Sequence, residues 1–286
     1  MKYISFYKYV NINEVEVFCK EHLAFCNFLG LKGKVLVAPE GINGCLTGED
    51  EAIRTYEDSL CKDPRFIDVE FKEAFVKKHA FLRMLVKPRK EIITSFVTVF
   101  PAGSSTYIEP EALKTALDKG EEIILLDARN DFEYELGKFK GAHHLDLLQF
   151  SDFPKVLKKI EHLKNKKIVT YCTGGVRCEK FSSYLREQGF SQTYQLHGGI
   201  IKYGEVCGDT HFEGKCFVFD RRGAIEINPA KQTQEEHQCG VCFLPQTKEY
   251  FCNHCHERFF SCEKCLTLLE YCCSKMCRNI LRKEKF

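Results

Sequence analysis

Three features predict a mixed α/β and α+β chain made of two domains and a small cysteine-rich appendage. The first 92 residues alternate apolar, β-prone runs with helical segments in two βαβ-type halves of similar length. Residues 108–208 alternate short buried strands with helices, which is the pattern of a parallel sheet covered on both faces. The last 48 residues hold nine of the seventeen cysteines.

In the first part, YISFYKYV (3–10) reads as a strand, residues 13–28 as a helix with Asn13 at its N-cap, and KVLVAP (34–39) as a buried strand. INGCLTG (42–48) is a second short strand and 49–61 a helix. FIDVEFKEAF (66–75) and FLRMLVKP (81–88) are two further strands. Two such halves predict a ferredoxin-like (acylphosphatase-like) sandwich over 1–92. The turn in PEGINGCLTG (39–48), rich in Gly, Pro and Asn, predicts a tight hairpin in preference to a ligand site.

PAGSSTY (101–107) marks the domain boundary by composition. IEPEALKTALDKG (108–120) then opens a helix with Pro110 in its first turn and Gly120 past its end. A buried strand and polar loop follow in EIILLDARNDFEYELGKFKGAHHLDLL (122–148), and a helix covers 154–163. Next comes IVTYCTGGVRCEKFSSYL (168–185), where a β-branched run breaks at Cys172 and helix formers resume after the glycines. In parallel sheets ligands gather at the carboxyl ends of the strands, and Cys172 lies at such an end.

A cysteine below a helix N-terminus meets amides that no helical carbonyl accepts, together with the positive end of the peptide dipoles. Gly174 and Gly175 let the Thr173–Gly174–Gly175–Val176 loop curl so that its amides converge, and Arg177 adds a fixed charge. A thiol so placed is drawn below its free value of about 8.5 and becomes a nucleophile at neutral pH. Arg177 either stabilises that anion or forms a salt bridge that only fixes the loop. Cys178 is either a candidate resolving thiol for an oxidised Cys172 or a small side chain packed in the first helical turn. Asp127 with Arg129 reads as a brace at a strand end, and His143, His144 and His197 as loop residues.

Hydrophobic residues make up 44% and charged residues 29% of the chain, the composition of an ordinary soluble globular protein. No apolar run of about eighteen residues suits a bilayer, and MKYISFYKYV has no signal-peptide layout, so a cytoplasmic location without membrane association is expected. A net charge of +2 neither demands nor excludes nucleic acid. The tail reads Cys239-x-x-Cys242, Cys252-x-x-Cys255, Cys262-x-x-Cys265, then Cys272, Cys273 and Cys277. Two thiolates two residues apart reach one tetrahedral ion, so the nine supply two four-cysteine zinc sites with one cysteine spare, either interleaved or in order. Iron–sulfur ligation is the alternative. No flavin, haem or nicotinamide motif is present.

Residues 108–208 resemble a rhodanese domain: LLDARNDFEYELGKFKGAHHL (125–145) and YCTGGVRCEKFSSYL (171–185) match its motifs in order and spacing. GKVLVAPEGINGCLTG (33–48), KEIIT (90–94), CTGGVRCEK (172–180), LHGGIIKYGE (196–205) and GKCFVFDRR (214–222) together resemble the tRNA uridine hydroxylase (TrhO) family over about residues 1–228. The resemblance implies a rhodanese domain at 108–208 followed by a motif-bearing linker at 209–238, and the cysteine spacing marks the cysteine-rich module at 239–286. The resemblance also implies oxygen-dependent 5-hydroxylation of the wobble uridine of tRNA, with molecular oxygen as co-substrate and Cys172 as the catalytic, persulfide-competent thiol. An electron donor stays unidentified. The six-residue span from Cys172 to Arg177 has the size of a sulfur-carrying rhodanese loop, so the alternative is a sulfurtransferase passing sulfane sulfur to a thiol or RNA acceptor.

Overall fold

The computed structural model describes residues 1–97, 106–231, 239 and 248–284, without the side chains of 275, 276, 283 and 284. Strand alternation sorts β1 (Lys2–Tyr9) onto two faces. Ile4 and Phe6 enter a core with Val15 and Cys19 of α1 (Val15–Phe28), the apolar residues of β2 (Lys32–Ala38) and β3 (Gly41–Gly48), and Ile53 and Tyr56 of α2 (Asp50–Cys61). Tyr3, Ser5, Tyr7 and Tyr9 therefore share the opposite face, away from the helices. With β4 (Lys72–Phe75) and β5 (Met84–Pro88) the strand order is β4-β1-β3-β2-β5, antiparallel except for β2 with β5. This is the expected ferredoxin-like sandwich with one strand added at the edge.

Pro39 and Glu40 alone join β2 to β3, so the turn is the tight hairpin the sequence predicts. Two local expectations need correction. Glu14, not Asn13, occupies the N-cap position of α1, and no side chain caps that end. Pairing in the 66–75 run begins only at Lys72, and the run opens in a 3-10 turn over Pro64–Phe66, where the Asp63 carboxylate accepts the Arg65 N–H at 2.9 Å.

The second domain runs β6 (Tyr107–Ile108), α3 (Pro110–Asp118), β7 (Ile124–Asp127), α4 (Asp131–Leu136), β8 (Gly137–Phe139), β9 (His143–His144), α5 (Phe153–Val156), β10 (Ile168–Tyr171), α6 (Val176–Glu187), β11 (Thr193–Leu196) and α7 (Gly199–Cys207). Its main sheet has the order β6-β11-β10-β7-β9, and every pair in it is parallel. Alternation again splits the burial: Leu126 and Ile168 pack with Phe153, Phe181 and Leu185, while Leu125, Val169 and Leu196 pack with Leu113, Ile200 and Tyr203. The helix expected over 154–163 is α-helical only to Val156. It then tightens to 3-10 turns through Leu163, which still set Ile160 and Leu163 in the core.

Beyond α7, β12 (Phe212–Gly214) pairs with β8, and β13 (Cys216–Phe217) pairs with β14 (Ala224–Ile225). The tail contains a small antiparallel pair, β15 (Glu249–Phe251) and β16 (Arg258–Phe260), and two helices, α8 (Glu263–Leu268) and α9 (Lys275–Glu284). Among the described residues no helix is long and apolar enough to cross a membrane.

The helix-free face of the first sheet docks on the carboxyl end of the second. Tyr7 donates to Glu179 Oε1 at 2.8 Å and Tyr9 donates to the Val176 carbonyl at 3.2 Å. Lys180, with no exposed surface, sits between Glu40 (2.8 Å) and Glu91 (2.6 Å). Farther along the seam Arg222, held by Asp220 at 2.6 Å, lies 3.8 Å from the centroid of the Tyr3 ring. Replacing Lys180 with methionine leaves two carboxylates facing each other, so chemical denaturation should show a loss of ~3 kcal/mol or more. A change below ~1 kcal/mol would remove Lys180 from the contacts that hold the seam. Burial raises the Glu91 pKa, but Lys180 and Ser95 outweigh it and hold the carboxyl below its ordinary value. The stability this carboxylate contributes is thus present above about pH 4.3 and lost as pH falls through the depressed folded value.

Candidate functional site

Cys172 follows directly on β10 and has no exposed surface. Its Sγ accepts the Gly175 N–H at 3.1 Å. The turn that allows this needs Gly175 at φ +100°, where a Cβ would also lie 2.9 Å from the Tyr7 hydroxyl. From the far side, the first amides of α7 bond the loop's carbonyls: Ile200 N–H to Cys172 O at 3.0 Å and Ile201 N–H to Thr173 O at 3.1 Å. Gly199, at φ +69°, lies so close that a Cβ there would meet the Cys172 carbonyl at 2.5 Å. The loop is thus clamped between α6, α7 and the first domain, with Thr173, Gly174 and Val176 partly exposed.

Burial by itself would raise the Cys172 thiol. The Cys178 thiol, the Arg177 charge and the amides of Cys178 and Gly175 outweigh that effect and bring it down to about 5. Cys178 is fully buried, and its S–H donates a hydrogen bond to the Cys172 sulfur. Burial first, and then that anion, push its own thiol well above the ordinary value. Arg177 places Nη1 at 2.7 Å and Nη2 at 2.8 Å from the two oxygens of Glu133, and Nη2 also reaches Thr173 Oγ1 at 3.2 Å. The guanidinium therefore braces the loop and acts on the thiolate as a nearby charge. Glu133 stays ionised despite burial because Arg177 holds it.

Other groups singled out in the sequence lie around this centre. Asp127 and Arg129, both without exposed surface, pair at 2.6 Å, and Arg129 Nη2 donates to the Gly137 carbonyl. His144 stacks on Tyr134 with centroids 4.3 Å apart. His197 bridges Glu109 (2.7 Å) and Glu70 (3.1 Å) at the edge of the seam. The residues sequence reasoning did not name are Glu133, Tyr7, Glu179 and the Lys180 pairing. The acidic position in DARNDFEYELG signals Glu133, whereas nothing local signals partners from another domain.

In the tail the cysteines interleave. Sγ atoms of Cys252, Cys255, Cys273 and Cys277 lie within 4.8 Å of one another, and so do those of Cys239, Cys262 and Cys265. Cys272 belongs to neither group, and Cys242 lies outside the described residues. Amides bend back to the sulfurs, Cys273 N–H to Cys252 Sγ at 3.3 Å and Cys265 N–H to Cys262 Sγ at 3.4 Å. Four converging thiols form a donor set that suits a tetrahedral metal ion, so these groups could hold metal.

Three family models match the chain: the UPF0176 acylphosphatase like domain over residues 1–92, the rhodanese-like domain over 109–205 and the rhodanase C-terminal domain over 213–278. The chain is 38% identical over 279 residues to the tRNA uridine(34) hydroxylase of Cytophaga hutchinsonii, spanning 96% of this chain and 89% of that protein. It is 42% identical over 266 residues to the protein of the same name from Bacillus licheniformis (91% and 79%), and 40% identical over 290 residues to that of Listeria welshimeri (99% and 85%). Among solved structures, the rhodanese-like domain from Anabaena sp covers 38% of this chain and 80% of its own, with 25% identity and a TM-score of 0.32.

Two outcomes follow from this geometry. The pH profile of Cys172 alkylation by iodoacetamide should have its midpoint well below the free-thiol value of about 8.5. Arg177→Ala should move it upward by ~1 unit or more, because a fixed positive charge is lost and the buried Glu133 carboxylate is freed. An unmoved profile would separate Arg177 from the thiol. In the tail, Cys252→Ser with Cys255→Ser should abolish one metal group and leave the other, read by elemental analysis as the loss of about half the bound metal. Unchanged metal content would remove Cys252 and Cys255 from the metal-holding residues.

Proposed function

Since the chain belongs to the tRNA uridine(34) hydroxylase family, we propose that it hydroxylates carbon 5 of the wobble uridine of tRNA, with Cys172 as the reactive thiol and Arg177 as the residue that holds its loop. The relatives' shared name favours hydroxylation over sulfur transfer. The observation that carries the role of Cys172 is its depressed thiol at the seam of two domains. Cys172 has no exposed surface, so the residues covering the thiol must move before it meets its substrate.

Uracil is electron-poor at carbon 6, the far end of its enone. Addition of Cys172 Sγ there forms an S–C6 bond and moves the C5–C6 electron pair toward carbon 5 and the O4 oxygen. Carbon 5 then becomes the nucleophile that meets the oxidant, and loss of its proton with S–C6 cleavage restores the ring. Molecular oxygen is the oxidant in this reading: one atom enters the base, and the other leaves as water with two electrons from a separate donor. The two cysteine groups each hold a structural zinc, which supplies the folding free energy of the tail. The enzyme works in the cytoplasm on tRNA.

Cys172→Ser should abolish 5-hydroxyuridine at position 34, read by mass spectrometry of tRNA from cells carrying only the variant, with the thermal melt within a few degrees of wild type. An anticodon stem-loop with 5-fluorouridine at position 34 should form a covalent adduct with the wild-type protein and none with the variant. Hydroxylation that survives in Cys172→Ser would end the assignment.

A further inference from the structure

The sheet face that looks into the seam carries a cation that, among the described residues, has an aromatic contact but no ion-pair partner. Lys72 stands opposite Ser5 across the β4–β1 ladder, and its Nζ lies 5.1 Å from the centroid of the Tyr7 ring. Tyr7 reaches Glu179 in the first turn of α6, so Lys72 is on the first domain's side of the Cys172 loop. Among the described residues its ammonium makes no hydrogen bond and no ion pair, whereas its neighbours on the sheet are matched: Lys2 with Glu73 at 2.7 Å and Lys8 with Asp68 at 2.6 Å.

The other cations at this site are committed. Arg177 is bound through two nitrogens to Glu133, and Lys180 lies between Glu40 and Glu91. Lys72 has Glu70, Cys172, Lys202 and Glu205 within electrostatic reach, and burial is the first cause of its lowered pKa. A half-buried ammonium against an aromatic ring, without a bonded counter-ion, costs free energy that an arriving anion offsets. Uracil is neutral, so the anion that arrives with the target nucleotide is the phosphodiester of the RNA strand. Lysine meets it as a compact, mobile point charge.

We propose that Lys72 is an anion-binding residue of the substrate seam, taking a phosphodiester next to the nucleotide being modified. This rests on the reading of the chain as a tRNA-modifying enzyme.

The test uses the full chain and an anticodon stem-loop RNA with uridine at position 34. Binding is followed by fluorescence anisotropy over a range of KCl concentrations, and hydroxylation by mass spectrometry of tRNA from cells carrying only the variant, where the electron donor is present. Lys72→Met should weaken binding ~10-fold near physiological salt and lower the slope of log K against log salt by ~0.7, the value for one phosphate contact on a single strand. Cellular 5-hydroxyuridine should fall with the loss of binding, and Lys72→Arg should restore both the slope and the modification. Unchanged affinity and slope would overturn the proposal. Lost modification with RNA binding intact, or a raised Cys172 alkylation pKa with binding intact, would also overturn it by assigning the ammonium to the thiolate or the reacting base. If tRNA from cells carrying the wild-type protein lacks 5-hydroxyuridine at position 34 while Lys72→Met still loses one salt-dependent contact in the binding assay, the hydroxylation reading fails and the anion site stands.

Discussion

The first turn of α6 answers to two domains at once, and the rest of the structure is arranged around that demand. Four consecutive buried residues point to four different partners. Arg177 reaches Glu133 of α4, Cys178 reaches Cys172, Glu179 accepts from Tyr7, Tyr107 and Gln195 on one oxygen, and Lys180 enters the gap between Glu40 and Glu91. Successive helical positions are turned by about 100°, so one turn can serve all four directions. The cost is that none of the four can be replaced without leaving a buried polar group unmatched.

Buried ion pairs are a poor source of net stability, because desolvation cancels much of the attraction. They are good at permitting only one arrangement. A slip of the first domain along the seam would separate Lys180 from Glu40 and Tyr7 from Glu179 together, and a hydrophobic seam would tolerate such a slip far better. The same contacts place Tyr7 against Gly175, the residue whose amide holds the Cys172 sulfur. Domain docking and the electrostatics of the thiol are thereby one arrangement.

Much of this was legible in the sequence, where structure depends on local pattern. Strand and helix periods reveal both domains, and a cysteine followed by two glycines before a helix predicts the loop and its lowered thiol. What stayed illegible depends on contacts between distant segments. Glu40 reads as part of a tight turn, and it is; that its carboxylate meets Lys180, 140 positions away, follows only from how the two sheets dock. Asn13 has the right chemistry for a cap, yet the chain enters α1 one residue later. Spacing showed that the tail's thiols could gather in fours, but the pairing of Cys252 and Cys255 with Cys273 and Cys277 depends on the path of β15, β16 and α8.

That interleaving bears on how the tail is made. As the chain leaves the ribosome, Cys239 must wait for Cys262 and Cys265, and the intervening Cys252 and Cys255 must wait longer, until Cys273 and Cys277 emerge. With a metal ion in each group, closing early on Cys252 and Cys255 would take two thiols from the group they share with Cys273 and Cys277. The tail therefore sets in nearly one event, after both catalytic-side domains have been synthesised and are free to dock.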